Sequence, residues 1–328
     1  MGDKRLEQLN DWLCSIYGEE LANLSPASSD ASFRRYFRFI DLGKSYIVMD
    51  APPDREDCRP FIEVSQQLLA QGVNVPEVLA SNLEQGYLLL TDLGKQTYLQ
   101  VLNDQNADSL YQDAISSLIR IQRGGLQNHG IFPVYGEKLL LSEMQLFVDW
   151  LLDRHLQISL DTRQAHDWRA CKQWLLEQIA IQPVTWVHRD YHSRNLMICA
   201  DHNPGVLDFQ DAVEGPITYD LVSLLKDCYV CWPRQRILTW LSLYHHKACV
   251  AALPVPELSR FTAWFDLMGV QRHLKAAGIF ARLYHRDQKS GYLADIPRVL
   301  AYIHEVAKEH TQLVVLEKLS QQALDRMK

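Results

Sequence analysis

Residues 188–195 read HRDYHSRN, and thirteen positions beyond that Asn the chain reads LDFQD. A carboxylate, an amide and a second carboxylate in that order match the needs of phosphoryl transfer. Such transfer asks little covalent chemistry of a protein, but it needs a base for the acceptor's proton and hard oxygen ligands to hold magnesium against the phosphates. Asp190 stands where its carboxylate can face an incoming hydroxyl, Asn195 offers an amide oxygen to the metal, and Asp208 offers a charged one. Singly, such residues have plainer readings: His188 as a packed imidazole, Asp208 as a turn residue, Asp220 of GPITYDLVSLL as a helix cap. The joint spacing favours chemistry, provided the β-prone runs TWVHRDYHSRNLMIC and PGVLDFQDAVEGP pair as a hairpin.

The elements that must position these residues change character along the chain. The first ninety residues mix strands and helices, and most of the chain beyond them reads as helix, so a boundary falls near 92/93. SFRRYFRFI and SYIVMD form a hairpin turning at Leu42 and Gly43, FIEVSQQLLAQG is a helix stopped by Gly72, and EVLAS and YLLL are two further strands. Beyond Asp108, helical patterns cover DSLYQDAISSLIRIQ up to a stop at Gly124 and Gly125, then LLLSEMQLFVDWLLDRHL and HDWRACKQWLLEQIA. From Thr218 the chain is again mostly helical, with Pro233, Pro254, Pro256 and Pro297 as boundaries. The predicted fold class is α+β: a small β-rich lobe, residues 1–92, and a large mainly helical lobe, residues 93–328.

Composition narrows the function. Lys and Arg total 33 against 40 Asp and Glu, a formal charge of -7, with no basic block of the kind a nucleic-acid-binding face needs. The start MGDKRLEQLNDWL lacks a secretory apolar core, no apolar run is long enough to span a membrane, and Leu6 breaks a myristoylation motif, so a cytoplasmic location is expected. Seven scattered cysteines read as reduced thiols. Cys228 and Cys231 form a C-x-x-C with no second pair, and are expected to be helical packing residues rather than a metal or redox site.

HRDYHSRN followed by LDFQD resembles the catalytic and metal loops of the protein-kinase-like superfamily, in its aminoglycoside phosphotransferase branch. With the LLLTDLG connector, the resemblance covers nearly the whole chain and implies a two-lobed protein-kinase-like fold using ATP and Mg2+. It implies that Asp190 is the catalytic base, that Asn195 and Asp208 are metal ligands, and that backbone near Thr91, Asp92 and Leu93 holds adenine. It also implies that His188 braces the loop, that Asp220 secures it, and that Glu63 is the small-lobe helix glutamate.

One departure stands out. The strand that carries the kinase Lys reads SYIVMDAPP, with Met49 and Asp50 where the cation is expected. Arg34, Arg35 and Arg38 on the opening strand are the substitute candidates, and SSDAS, without the usual glycines, can still offer backbone N–H groups to phosphate. The missing Lys leaves open a nucleotide-binding regulator without activity, although base and metal ligands are all present.

For the acceptor, residues 266–289 hold Arg272, Lys275, Arg282, Arg286 and Lys289 against Asp266 and Asp287, a local charge of +3. With His273, these residues are candidates for an anion-recognition surface, the rival reading being a salt-bridged bracing helix. YIVMDAPPDREDCRPF, VHRDYHSRNLM, GPITYDLVSLLKDCY and GVQRHLKAAGIFARLYHRD resemble a bacterial subgroup, the anomeric kinases of cell-wall amino sugars, which likewise lacks the strand Lys. The resemblance implies a small-molecule sugar partner, N-acetylmuramate or N-acetylglucosamine, phosphorylated at the C1 hydroxyl for recycling. The lactyl carboxylate of N-acetylmuramate suits a basic helix. An aminoglycoside phosphotransferase proper is the alternative, but its cationic substrate suits an acidic pocket.

Overall fold

The computed structural model describes residues 3–18, 24–29 and 33–328. Asp30, Ala31 and Ser32 of the SSDAS run lie outside the described residues. The chain divides into two compact units, Met1–Gln96 with Met197–Asp211, and Thr97–Leu196 with Ala212–Lys328.

The first unit opens with α1 (Lys4–Tyr17), capped by the Asp3 side chain, and β1 (Ser25–Ser29). Then come β2 (Arg35–Asp41), β3 (Lys44–Asp50), α2 (Arg59–Ala70), β4 (Val78–Asn82) and β5 (Tyr87–Thr91). The five strands form one antiparallel sheet in the order β1-β2-β3-β5-β4. The β2–β3 hairpin turns where predicted: Asp41 pairs with Lys44, and Leu42 and Gly43 both have positive φ, the geometry a two-residue hairpin demands. Period-two alternation puts Phe37, Phe39, Val48, Tyr87 and Leu89 on one face, where Leu9 and Leu13 of α1 cover them.

The second unit begins with α3 (Tyr98–Val101) and α4 (Ala107–Gln127). The helix α4 does not stop at Gly124 and Gly125 but runs through both. A Cβ on Gly125 would lie 2.1 Å from the Trp186 backbone N, so glycine serves close approach there rather than termination. Next come α5 (Glu137–Leu146), a π-helix (Phe147–His155) and α6 (Thr162–Ala180), the last entered through a capping box at Asp161. Four short strands come after it in the chain, β6 (Val184–Val187), β7 (Leu196–Met197), β8 (Gly205–Val206) and β9 (Val213–Pro216), of which β8 falls in the Met197–Asp211 segment of the first unit. The β-prone runs pair as two short ladders, β6 with β9 and β7 with β8, rather than as one hairpin.

The remaining helices are α7 (Tyr219–Leu225), α8 (Arg234–Val250), α9 (Leu258–Asp287), α10 (Ile296–Ala307) and α11 (Val314–Arg326). At 30 residues, α9 is about 45 Å long, and α5, the π-helix, α6, α10 and α11 share one apolar core with it. Its middle, Leu267 to Lys275, is buried on all sides, as expected of a core helix. Cys228 and Cys231 lie in the connector between α7 and α8, correcting their predicted helical placement. Among the described residues no helix is long and apolar enough to cross a membrane.

Candidate active site

The HRD segment leaves β6 directly after Val187, and two buried carboxylates from either end of α7 hold it. Asp220, fully buried, accepts from the backbone N of His188 at 2.6 Å and of Arg189 at 3.0 Å. Arg189 has φ +76, a left-handed conformation costing about 1–2 kcal/mol for a non-glycine residue, which these paired bonds offset. Burial pushes the Asp220 carboxyl up to about 6, against the pull of His188 and both N–H groups. Seven residues on, Asp227 accepts from the Ser193 backbone N at 3.0 Å and hydroxyl at 2.5 Å. Between these anchors the Tyr191 hydroxyl donates to the Ala114 carbonyl of α4, and the His188 ring Nδ1 accepts from the Asp190 backbone N. The Asn195 side-chain NH2 donates to the Asp190 carbonyl at 3.0 Å, which turns the amide oxygen the other way.

The half-buried Asp190 carboxylate stands among cations. Burial works to raise its pKa, but Lys275, His192, Arg272 and His188 outweigh that and lower it to about 2. Lys275 comes from α9 with its Nζ 3.0 Å from the Tyr219 hydroxyl and 3.3 Å from Glu143 Oε1. Glu143, buried on α5, also accepts from Arg189 at 3.2 Å, from Gln271 at 3.3 Å and from the Tyr135 hydroxyl. Burial opposes the charges of Lys275 and Arg272, yet both stay fully protonated because neighbouring groups, Asp190 among them, favour the cation. Burial holds the His192 ring below the usual imidazole range.

The basic stretch is therefore not the surface that its composition suggested. Arg272 and Lys275 are 5% and 9% exposed, inside the helical core next to Asp190. His273 departs from its expected role: its ring stacks on Tyr302 and bonds the Lys226 carbonyl, and burial drives its pKa down to about 3, leaving it neutral. Arg286 is exposed and paired with its neighbour Asp287, while Arg282, one turn earlier, is half-buried. Asp266 is bound by Lys226 and Arg234.

In the first unit the candidate phosphate cations already hold carboxylates: Arg34 with Glu56, Arg35 with Asp3 and Asp50, and Arg38 with Asp92. Asp50, fully buried, turns to Arg5 and Arg35, and so presents paired charge where the kinase Lys is expected. Glu63 lies on the exposed face of α2. At the connector, the Thr91 backbone N donates to Glu77, the Leu93 carbonyl accepts from the Cys199 thiol, and Asp92 also accepts from Ser45 and the Gly94 N. Asp208 has φ +62 and accepts from the Gln210 side chain at 2.9 Å. Asn195 and Asp208 each bring one hard oxygen, a donor type that suits magnesium. Among the described residues no group of three or more His, Cys, Asp or Glu side chains forms a metal cluster.

Sequence reasoning missed Asp227 and Glu143. Asp227 lies past the end of α7, and its bonds to Ser193 join positions 34 residues apart, so the sequence pattern carried no signal for it. Glu143 gave no signal, since α5 and the HRD loop meet only in three dimensions.

The sequence profile of the phosphotransferase enzyme family matches residues 23–264. The chain belongs to that family. Within it, the N-acetylmuramate/N-acetylglucosamine kinase of Pseudomonas aeruginosa is 47% identical to this phosphotransferase, over 97% of this chain and 96% of the relative. Two solved structures share the kinase-like fold. Choline kinase LicA from Streptococcus pneumoniae superimposes with a TM-score of 0.63 at 12% identity, covering 92% of this chain and all of that one. The gentamicin complex of the aminoglycoside phosphotransferase APH(2″)-IIa gives 0.60 at 15% identity, over 92% and 96% of the two chains. This phosphotransferase is thus a nucleotide-dependent kinase with an α+β fold, a sheet-bearing first unit and a mainly helical second.

Proposed function

We propose that this phosphotransferase moves the γ-phosphoryl group of ATP to the anomeric C1 hydroxyl of N-acetylmuramate or N-acetylglucosamine, in recycling of cell-wall sugars. The observation that carries this reading is the setting of Asp190, a carboxylate held near pKa 2 by Lys275 and its cationic neighbours. A cationic aminoglycoside would meet repulsion there, whereas a neutral or anionic sugar would not. Its cationic neighbours keep the Asp190 carboxylate ionised and so able to accept the proton of the acceptor hydroxyl. The names of the full-length relatives point to the same acceptors.

Asp190 orients the C1 hydroxyl and takes its proton as the oxygen meets the γ-phosphorus in line. The anchors Asp220 and Asp227 keep that carboxylate at a fixed place, and Lys275 keeps it ionised. Asn195 and Asp208 would hold Mg2+, which when bound offsets phosphate charge. The first unit is read as the nucleotide lobe and the second as the carrier of the acceptor site.

The test is incubation with magnesium-ATP and a panel of N-acetylmuramate, N-acetylglucosamine, glucose and kanamycin, with phosphorus NMR locating the new phosphate. A sugar 1-phosphate from the amino sugars is expected, together with loss of at least about a hundredfold of turnover in Asp190→Asn. Turnover of kanamycin alone, or undiminished turnover in the variant, overturns the reading.

A further inference from the structure

Four residues past Asp190, Arg194 leaves the same loop and lays its guanidinium over the ring of Tyr229, 3.6 Å from the centroid and 5.4 Å from that of Tyr292. It is exposed, and among the described residues no carboxylate lies within ion-pairing distance of it. Its loop neighbour Arg189 is the contrast, being paired with Glu143. Stacking uses the faces of a guanidinium and leaves its rim of N–H donors in the plane, where a carboxylate binds bidentately. The Tyr229 ring therefore fixes the orientation of Arg194 without consuming its hydrogen-bonding capacity.

The surroundings of Tyr229 supply the second observation. Its backbone N bonds Asp227, and its ring meets the His192 ring edge-on at 5.3 Å. His192, 9% exposed, has a buried Nδ1 with no hydrogen-bond partner among the described residues. Arg272, 5% exposed, reaches the Cys228 thiol at 3.6 Å through Nη1, and its buried Nε likewise has no hydrogen-bond partner among the described residues. Both side chains act electrostatically on Asp190, so they share its surroundings. Buried polar atoms are seldom left unmatched, and a site that binds a polar ligand is where the match arrives from outside.

We infer that Arg194, pre-oriented by Tyr229 and Tyr292, reads the carboxylate of the acceptor, with His192 and Arg272 completing an anion subsite beside Asp190. This rests on the proposed function and assigns the discrimination between N-acetylmuramate and its uncharged analogue to the catalytic loop itself. Arg194 and Asp190 lie four residues apart on one loop, so their Cα atoms are at most about 14 Å apart, a range from which a substituent on the phosphorylated ring can be read.

The experiment is Arg194→Gln and Arg194→Lys in the full chain, read in two ways. The first is the ratio of kcat/KM for N-acetylmuramate to that for N-acetylglucosamine, with KM and kcat resolved. Loss of a charge-assisted bidentate contact is expected to lower that ratio about 10- to 100-fold in Arg194→Gln, mainly through KM, with Arg194→Lys in between. The second is calorimetric binding of N-acetylmuramate without nucleotide, where Arg194→Gln is expected to weaken Kd by the same factor. An unchanged ratio, or equal losses on both sugars, overturns the subsite while leaving the kinase reading in place. Arg194-dependent binding of N-acetylmuramate by an enzyme that phosphorylates neither sugar keeps the subsite and overturns the kinase reading. Absence of both binding and turnover overturns both.

Discussion

Lys275 is the residue on which the state of Asp190 most depends. Burial alone would raise the Asp190 pKa, and Lys275 heads the groups that lower it to about 2. A carboxyl depressed in the folded state contributes stability above its unfolded pKa of about 4, and loses it as pH falls through the folded value. Wild-type activity should accordingly show no acid limb assignable to Asp190 between pH 5 and 8. In Lys275→Met, removal of a cation near the carboxylate is expected to move the acid limb of kcat/KM up by about 1–2 pH units. A pH–rate profile that does not move would mean that the Lys275 charge is not felt at the base. The same variant removes one of the partners of Glu143, but Arg189 and Tyr135 still hold that carboxylate, so the fold is expected to survive.

At the scale of elements, the HRD loop is positioned by three pieces that touch it from different sides. The short helix α7 contributes Asp220 and, just past its end, Asp227, α9 contributes Lys275 and Arg272, and α4 lies behind β6. The last contact is the tightest. Gln122 of α4 accepts from the Thr185 hydroxyl at 2.6 Å through its backbone carbonyl and donates to the Ile217 carbonyl at 2.8 Å through its side chain, tying the helix to β6 and to the end of β9. Gly125, one turn on, makes room for the Trp186 backbone. Alanine is the better helix former by about 1 kcal/mol, so propensity predicts that Gly125→Ala stabilises. The 2.1 Å approach predicts the opposite, since α4 or β6 must move, at a cost of about 1–3 kcal/mol beyond that gain. Urea unfolding distinguishes the two, and a higher midpoint would mean that the helix and the ladder do not meet so closely.

For the whole molecule, each unit has its own apolar core, α1 on the sheet in the first and the α9-centred bundle in the second. The unit division is not the single cut that the sequence predicted near 92/93. Residues 93–96 and the segment Met197–Asp211 group with the first unit. Chelation should separate activity from acceptor binding on the proposed reading. With EDTA in excess over magnesium, turnover is expected to fall below detection while N-acetylmuramate still raises the melting temperature. A ligand at 100 times its Kd stabilises by about 2.7 kcal/mol. Turnover that persists through chelation would remove the metal from the mechanism.

How much of this was legible beforehand varies with the range of the interaction that decides it. The hairpin at Leu42 and Gly43, the α+β class, the mainly helical second half and the phosphotransferase family come from local signals, because turn chemistry, hydrophobic period and motif spacing are written within a few residues. The run of α4 through Gly124 and Gly125 was misread, since a glycine that ends a helix and one that admits a neighbouring backbone look alike in sequence. The basic stretch of α9 was seen as charge, but its burial was not. Whether Arg272 and Lys275 face water or a carboxylate depends on what packs around the helix, and much of that packing comes from segments more than a hundred residues away. Motif and spacing alone determined the chemistry available to this protein. Only the tertiary structure decided which charges sit beside Asp190, because electrostatic influence depends on distance and burial, and neither is a property of a sequence position.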